Sequence, residues 1–295
     1  MLAFITTLRH PQNSVDYGRV EKLLLDTLDS VARQSAEAFV IIIVGNKKPD
    51  FALPTCVRFV GVDFAPPAPP TGAKTAREPF VWDKGTKLGI GLIAAAEFEP
   101  THVMFFDADD FVHRDLAATV ERHRDHSGWV IRHGWKYSRA RNCFVAQPNF
   151  NTECGTSFII PFEAYGVPRE LTTAASQEEV ANAYGERLFT IMGAHRDAES
   201  WYRSHGRQIA DFPFPAAVYH VDTGENHSGI SLRGFARPFN TALRRDFGIR
   251  PSRGRLSTLW SAGGPAALLF EWRHLRYRMR TRRASTMTTG SRDTP

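Results

Sequence analysis

Several common classes of protein are excluded by what this sequence lacks. It has three cysteines, Cys56, Cys143 and Cys154, far apart and with no CxxC pair. That argues against a disulfide framework or a zinc site and fits a reducing cytoplasm. No apolar run approaches the ~20 residues that span a bilayer; the most continuous is FVIIIV at 39–44. The opening MLAFITTLRHP has no basic leader and reads as a first strand, not a signal peptide. No internal repeat and no body-splitting linker is present. TGAKT at 71–75 lacks the GxxxxGK[ST] spacing of a phosphate loop. Lysine is absent after Arg250, where ten arginines face only Glu271 and Asp293. That stretch carries a surplus of eight positive charges in a chain whose net charge is +6, so the body is slightly acidic. That argues against a nucleic-acid-binding body, and the charge points to a local anionic partner.

What is present is enough for a large core: 295 residues, 42% hydrophobic. Residues 2–8 are apolar and β-compatible. Residues 17–34 carry Val20, Leu23, Leu24, Leu28 and Val31 at helical spacing. Residues 39–44 and 57–62 read as strands, 65–79 as a proline-rich loop, 84–98 as a helix, 102–106 as a fourth strand and 114–125 as a third helix. This alternation implies an α/β fold, with a Rossmann-like, mostly parallel central sheet flanked by helices. The second half is less regular, with strands predicted at 129–134, 143–147, 156–161 and 216–220 and helices at 177–192 and 198–205. The expected organisation is a body over 1–250, with a nucleotide-binding half (1–125) and an acceptor half (126–250). A basic helical extension follows over 251–295.

Ligands of such sheets sit at the carboxyl ends of the strands, which directs attention to Thr7 to Arg9, Gly45 to Lys47, Asp63 and Asp107 to Asp110. The strongest signal is VMFFDADDFV, where an apolar strand delivers Asp107, Asp109 and Asp110 into a loop before a helix. Two carboxylates one residue apart in extended chain can converge on one small volume. Such hard oxygens suit Mn²⁺ or Mg²⁺, which a diphosphate can share. The alternative is that Asp109 or Asp110 caps the following helix or marks a turn.

TTLRHP, LDSVARQS, FVIIIVGN, KGTKLGIGLIAAAEF and FFDADDFV together resemble a family 2-type glycosyltransferase with the GT-A fold. The resemblance covers residues 2–125 well and 153–230 loosely. It implies that Asp109 is the main ligand of the cation and that Asp107 contacts the metal or the ribose. It places Thr7, Leu8, Arg9, Asn46, Asp63 and Ala108 along the nucleotide, with Lys84 or Lys87 beside it. A late-strand histidine completes the metal shell in such enzymes, here His220 with His227 as the other candidate; the alternative is a buried structural histidine. In GAHRDAESWYRSHG, Asp197 is the candidate base, because inverting transfer needs a carboxylate at the acceptor hydroxyl. Its alternative is a helix N-terminal aspartate, and Glu199 is the fallback base. GTSFIIP at 155–161 resembles the acceptor wall. Trp129, Trp135 and Tyr137 either stack on sugars or belong to the core.

Two departures stand out. Gly45, Asn46 and Lys47 occupy the place where the family often has an acidic residue for the base, and no QxxRW-type motif follows, which favours single-sugar, non-processive transfer. The expected activity is transfer from a nucleoside diphosphate sugar, UDP-linked by preference, to a hydroxyl on a glycan or lipid. A sugar-phosphate nucleotidyltransferase is the runner-up, disfavoured because the loop after strand one has no glycine before Gly18. A haloacid-dehalogenase-like phosphatase would open on its DxD. A non-catalytic sugar-nucleotide-binding scaffold is the non-enzyme alternative. The tail interleaves Leu, Trp and Phe with Arg, as an interfacial helix on the inner face of an anionic membrane does; a solvated basic helix docked on the body is the other reading.

Overall fold

A computed structural model describes residues 1–68, 78–225, 230–264 and 267. The TGAKT loop, His227 and most of the arginine-rich tail lie outside the described residues.

β1 (Leu2–Thr7) and β2 (Phe39–Gly45) are buried along nearly their whole length, as strands covered on both faces must be. Between them runs α1 (Tyr17–Val31), whose start is capped by the Asp16 carboxylate accepting from the Arg19 N–H. The chain continues through β3 (Val57–Gly61), α2 (Glu78–Ala95), β4 (His102–Phe105), β5 (Phe111–Val112) and α3 (Leu116–Arg122). Next come β6 (Trp129–Val130), β7 (His133–Ser138), β8 (Cys143–Pro148), α4 (Phe150–Glu153) and β9 (Phe158–Pro161). The described chain ends with α5 (Gln177–Tyr184), α6 (Ala198–Ser204), β10 (Ala210–Asp211), β11 (Ala217–Val221), β12 (Arg237–Pro238), α7 (Thr241–Phe247) and α8 (Arg255–Gly263).

These elements form a mixed α/β fold with two mixed sheets. The larger has the order β10-β6-β9-β4-β1-β2-β3, and the smaller β12-β8-β7-β11-β5. β4, β1, β2 and β3 are mutually parallel, as the alternation predicts. The expectation of one mostly parallel sheet is otherwise corrected: β9 runs antiparallel to β4 and β6, and the second half builds a separate sheet. The expected helix over 177–192 is also broken. α5 stops at Gly185, whose φ of 53° only glycine adopts readily, and the chain resumes as a single π-helical turn over Leu188–Met192.

Side-chain alternation splits the core around the large sheet. Phe4, Ile41, Ile43 and Met104 pack with Leu24 and Leu28 of α1, whereas Ile5, Ile42, Val44 and Val103 pack with Leu88 and Leu92 of α2. α2 lies unusually close to its neighbours. A Cβ on Gly91 would fall 2.4 Å from Ile5 Cγ2, and one on Gly89 2.5 Å from Val180 Cγ1. The helix that carries Lys84 is thus clamped between β1 and α5. All three cysteines are free. No helix among the described residues is long and apolar enough to cross a membrane.

Candidate active site

The loops that leave β1 to β4 are tied together at the carboxyl edge of the large sheet. The Leu8 N–H donates to Val44 O at 2.8 Å, Val62 N–H to Gly45 O at 3.1 Å and Phe106 N–H to Ile5 O at 3.1 Å. Asn46 Nδ2 donates to Phe64 O at 2.8 Å. Thr7, Leu8, Asn46, Asp107 and Ala108 therefore share one edge, with the Leu8 side chain turned into the core. Asp63 follows β3 on that edge and is exposed. Lys87 is fully buried, donating to Asp83 Oδ2 at 2.8 Å and Leu8 O at 3.1 Å. Its expected place beside a nucleotide is corrected: it braces the first loop from beneath. Burial pushes its ammonium below the ordinary value, against the pull of Asp83. Arg9 is also committed. It donates to Glu225 Oε2 at 2.8 Å and to Glu225 O at 2.5 Å, while Glu225 Oε1 accepts from Asp16 N–H at 3.0 Å.

The three acids of DADD have different fates. Asp107 pairs with the Lys84 ammonium, and its N–H donates to Thr156 Oγ1 at 3.0 Å. Asp110 is wholly buried. Its Oδ2 accepts from Thr156 Oγ1 at 2.5 Å and Cys154 Sγ at 3.0 Å, and its Oδ1 from His220 N–H at 3.1 Å. Asp109 accepts from Thr223 Oγ1 at 3.4 Å. Neither Asp109 nor Asp110 caps α3, whose N-terminal flanking residue is Asp115. Burial first, and the Asp107 charge second, push the Asp109 carboxyl up to about 7. The same causes, with Asp109 added, drive Asp110 well above the carboxylate range. Burial opposes the charge of Lys84, but the Asp107 carboxylate outweighs it and holds the ammonium above its usual value.

Beside this cluster is a small cleft lined by Lys84, Asp107, Phe158, Tyr165, Ile191 and His195. Its floor is Gly155. A Cβ there would meet Asp107 Oδ2 and Lys84 Nζ at 3.4 Å each and His195 Nδ1 at 3.5 Å. Burial, reinforced by Lys84, lowers His195 to about 4, so the ring is neutral at pH 7. Its Nε2 has no partner among the described residues. The sequence drew attention to this segment for Asp197 and missed His195 as a lining group. It also missed Thr156, whose hydroxyl joins the Asp107 main chain to the Asp110 carboxyl.

Asp197 stands at the start of α6, exposed and without a capping bond from its side chain. Glu199 accepts from Arg132 Nη1 at 2.9 Å, Arg132 Nη2 at 2.6 Å and Arg203 Nη2 at 2.9 Å. Hydrogen bonds from Arg132 are the main cause holding its carboxyl below the ordinary value. The fallback-base assignment for Glu199 is corrected accordingly, because a carboxylate gripped by two guanidiniums is a poor proton acceptor. His220 is 2% exposed, with its ring near Phe111 and Tyr137 at centroid distances of 5.4 and 5.6 Å. Burial lowers it to about 3. Among the described residues no three His, Cys, Asp or Glu side chains are grouped to hold a cation. His220 sits in the core beside the acids, its N–H on the Asp110 carboxylate. Asp107 and Asp109 fit Mn²⁺ or Mg²⁺ by donor chemistry, as hard oxygens, but as part of a shell that a diphosphate and water would have to complete. Trp129 and Tyr137 are buried in the core, Trp129 stacked on His126 at 3.9 Å.

No known family model matches this sequence, and no curated protein matches it. Two solved structures of S. aureus TarS are similar to it. The structure of TarS 1–349 has 13% identity, covers 74% of this chain and 60% of that one, and has a TM-score of 0.38. A longer TarS structure has 14% identity, covers 75% of this chain and 36% of that one, and has a TM-score of 0.35. The chain thus spans about 60% and 36% of the two TarS structures.

Proposed function

We propose that this chain is a metal-dependent glycosyltransferase of the GT-A type, moving one sugar from a nucleoside diphosphate sugar, UDP-linked by preference, to a hydroxyl of a glycan or lipid. The observation that carries the reading is the division of labour in DADD. Asp110 turns inward as a buried anchor, which leaves Asp107 and Asp109 at the carboxyl edge of the central strand, with Asp107 lining a cleft. Asp109 and Asp107 would hold the cation, which when bound neutralises charge on the leaving diphosphate. Thr7, Leu8 and Asn46, on the same edge of the sheet, would lie toward the nucleoside end, with Leu8 and Asn46 shaping the loops through their main-chain ties. Asp197, exposed and uncommitted by capping, takes the proton of the attacking hydroxyl, which makes the transfer inverting. The test is a thermal-shift titration with UDP, GDP and dTDP plus Mn²⁺ on the wild type and Asp109→Asn. A nucleotide-dependent shift that the substitution abolishes supports the reading; no shift with any nucleotide refutes it.

An anionic membrane surface is the proposed location of the acceptor. α8 exposes Leu256, Leu259 and Trp260, at 84%, 49% and 61%, on one side and buries Thr258, Ser261 and Ala262 on the other. Arg253 and Arg255 flank this apolar face, the pairing an interfacial helix needs.

A further inference from the structure

We infer that Lys84 is the stand-in cation of the free protein: paired with Asp107, its ammonium keeps a divalent ion off the carboxylates until a diphosphate arrives to take it. This rests on the donor-site reading above. It adds an order to that site, in which cation binding is conditional on the nucleotide.

Four observations support it. First, the three acids are held differently: Asp109 accepts a long hydrogen bond of 3.4 Å from Thr223. Asp110 is sequestered by Thr156, Cys154 and the His220 N–H, and Asp107 is engaged by Lys84. Second, no ready-made group of three ligands exists among the described residues. A divalent ion approaching Asp107 and Asp109 alone meets the Lys84 ammonium already paired with Asp107, a like charge that repels it. Third, α2 is packed closely at Gly89 and Gly91 against Val180 and Ile5, so displacement of the ammonium is assigned to the Lys84 side chain and not to the helix. Fourth, the pair lies over Gly155, where a Cβ would touch both Lys84 Nζ and Asp107 Oδ2 at 3.4 Å. The pair therefore lines the same small cleft as Gly155 and His195.

A diphosphate resolves the conflict. Its oxygens offer the ammonium a charge-assisted partner. Asp107 is then released, and two carboxylates with phosphate oxygens make a hard-oxygen shell. By linkage, the cation must raise nucleotide affinity by the same factor by which the nucleotide raises cation affinity. Lys84 is a positioning residue in this scheme, and its signature is the coupling between the two ligands.

The experiment measures free Mn²⁺ by electron paramagnetic resonance during titration of the full chain, with and without UDP. Wild type, Lys84→Met, Lys84→Gln, Lys84→Arg and Asp109→Asn are compared. Wild type should bind Mn²⁺ weakly alone and about tenfold or more tighter with UDP. Lys84→Met and the more conservative Lys84→Gln should bind Mn²⁺ alone about tenfold tighter than wild type, with the UDP effect reduced to about twofold or less. Lys84→Arg should keep the coupling. The inference is overturned if both neutral variants bind Mn²⁺ alone no better than wild type, or if their coupling to UDP persists. Failure of the donor-site reading looks different: UDP, GDP and dTDP would all leave Mn²⁺ binding unchanged in wild type, and Asp109→Asn would have no effect.

Discussion

Asp110 and Asp109 are neighbours in sequence, yet the structure requires opposite responses to their removal. Asp110→Ala strips the acceptor from three buried donors, the Thr156 hydroxyl, the Cys154 thiol and the His220 N–H. An unsatisfied buried N–H or O–H costs about 1–3 kcal/mol, and the thiol, a weak donor, costs less. Against this stands the relief of no longer burying a carboxyl beside two others. The net expectation is a loss of about 3 kcal/mol, a large share of the ~5–15 kcal/mol that holds a typical domain together. Urea denaturation at pH 7, followed by tryptophan fluorescence, measures it. The surviving folded protein should keep Mn²⁺-dependent nucleotide binding within about tenfold, whereas Asp109→Asn should leave stability within about 1 kcal/mol and remove that binding. A stability loss under about 1 kcal/mol for Asp110→Ala, accompanied by loss of nucleotide binding, would show that Asp110 faces the ligand and that the assignment of the three acids is wrong.

Three further outcomes are expected. Asp197→Asn should lower kcat by about 10²–10⁴ with KM little changed; an unchanged kcat in steady-state assays removes Asp197 from the chemistry. Glu199→Gln should cost about 1–2 kcal/mol at pH 7, since part-buried guanidinium contacts are lost. A carboxyl depressed in the folded state contributes stability that is present above its unfolded value of about 4.3 and lost as pH falls through the folded value. The gap between wild type and Glu199→Gln should therefore close in acid; a gap constant from pH 3 to 7 contradicts the ion-pair account. Replacing Leu256, Leu259 and Trp260 together by serine should weaken sedimentation with phosphatidylglycerol vesicles at least about tenfold, with no vesicle binding to neutral lipid in either protein. Equal binding of the variant and wild type would remove α8 from the interface.

The first half of the fold was legible because its signals are local. β1 and β2 are continuous apolar runs, α1 has helical periodicity, and β4 hands over to DADD without interruption. The smaller sheet was only partly legible, for the opposite reason. Its strands β8 and β11 could be read locally, but β5 and β12 are two residues each, too short for any period, and β7 pairs in parallel with β11, far along the chain. The same distinction runs through the site. The spacing of Asp107 and Asp109 could be read directly. The separate fate of Asp110 could not, since it depends on Cys154, Thr156 and His220. One local signal was overlooked: Asp83 and Lys87 are four apart on a helix, the spacing of an ion pair.

The contact between Arg9 and Glu225 has a consequence for how the molecule is made. The guanidinium leaves the ribosome early, and its carboxylate follows 216 residues later. Until that moment the turn after β1 lacks the group that fastens both Arg9 and the Asp16 amide at the head of α1. Residues 1–125 produced alone would collapse around their strands but keep an unfastened entrance loop. Adding back the remainder as a second polypeptide should restore the seat.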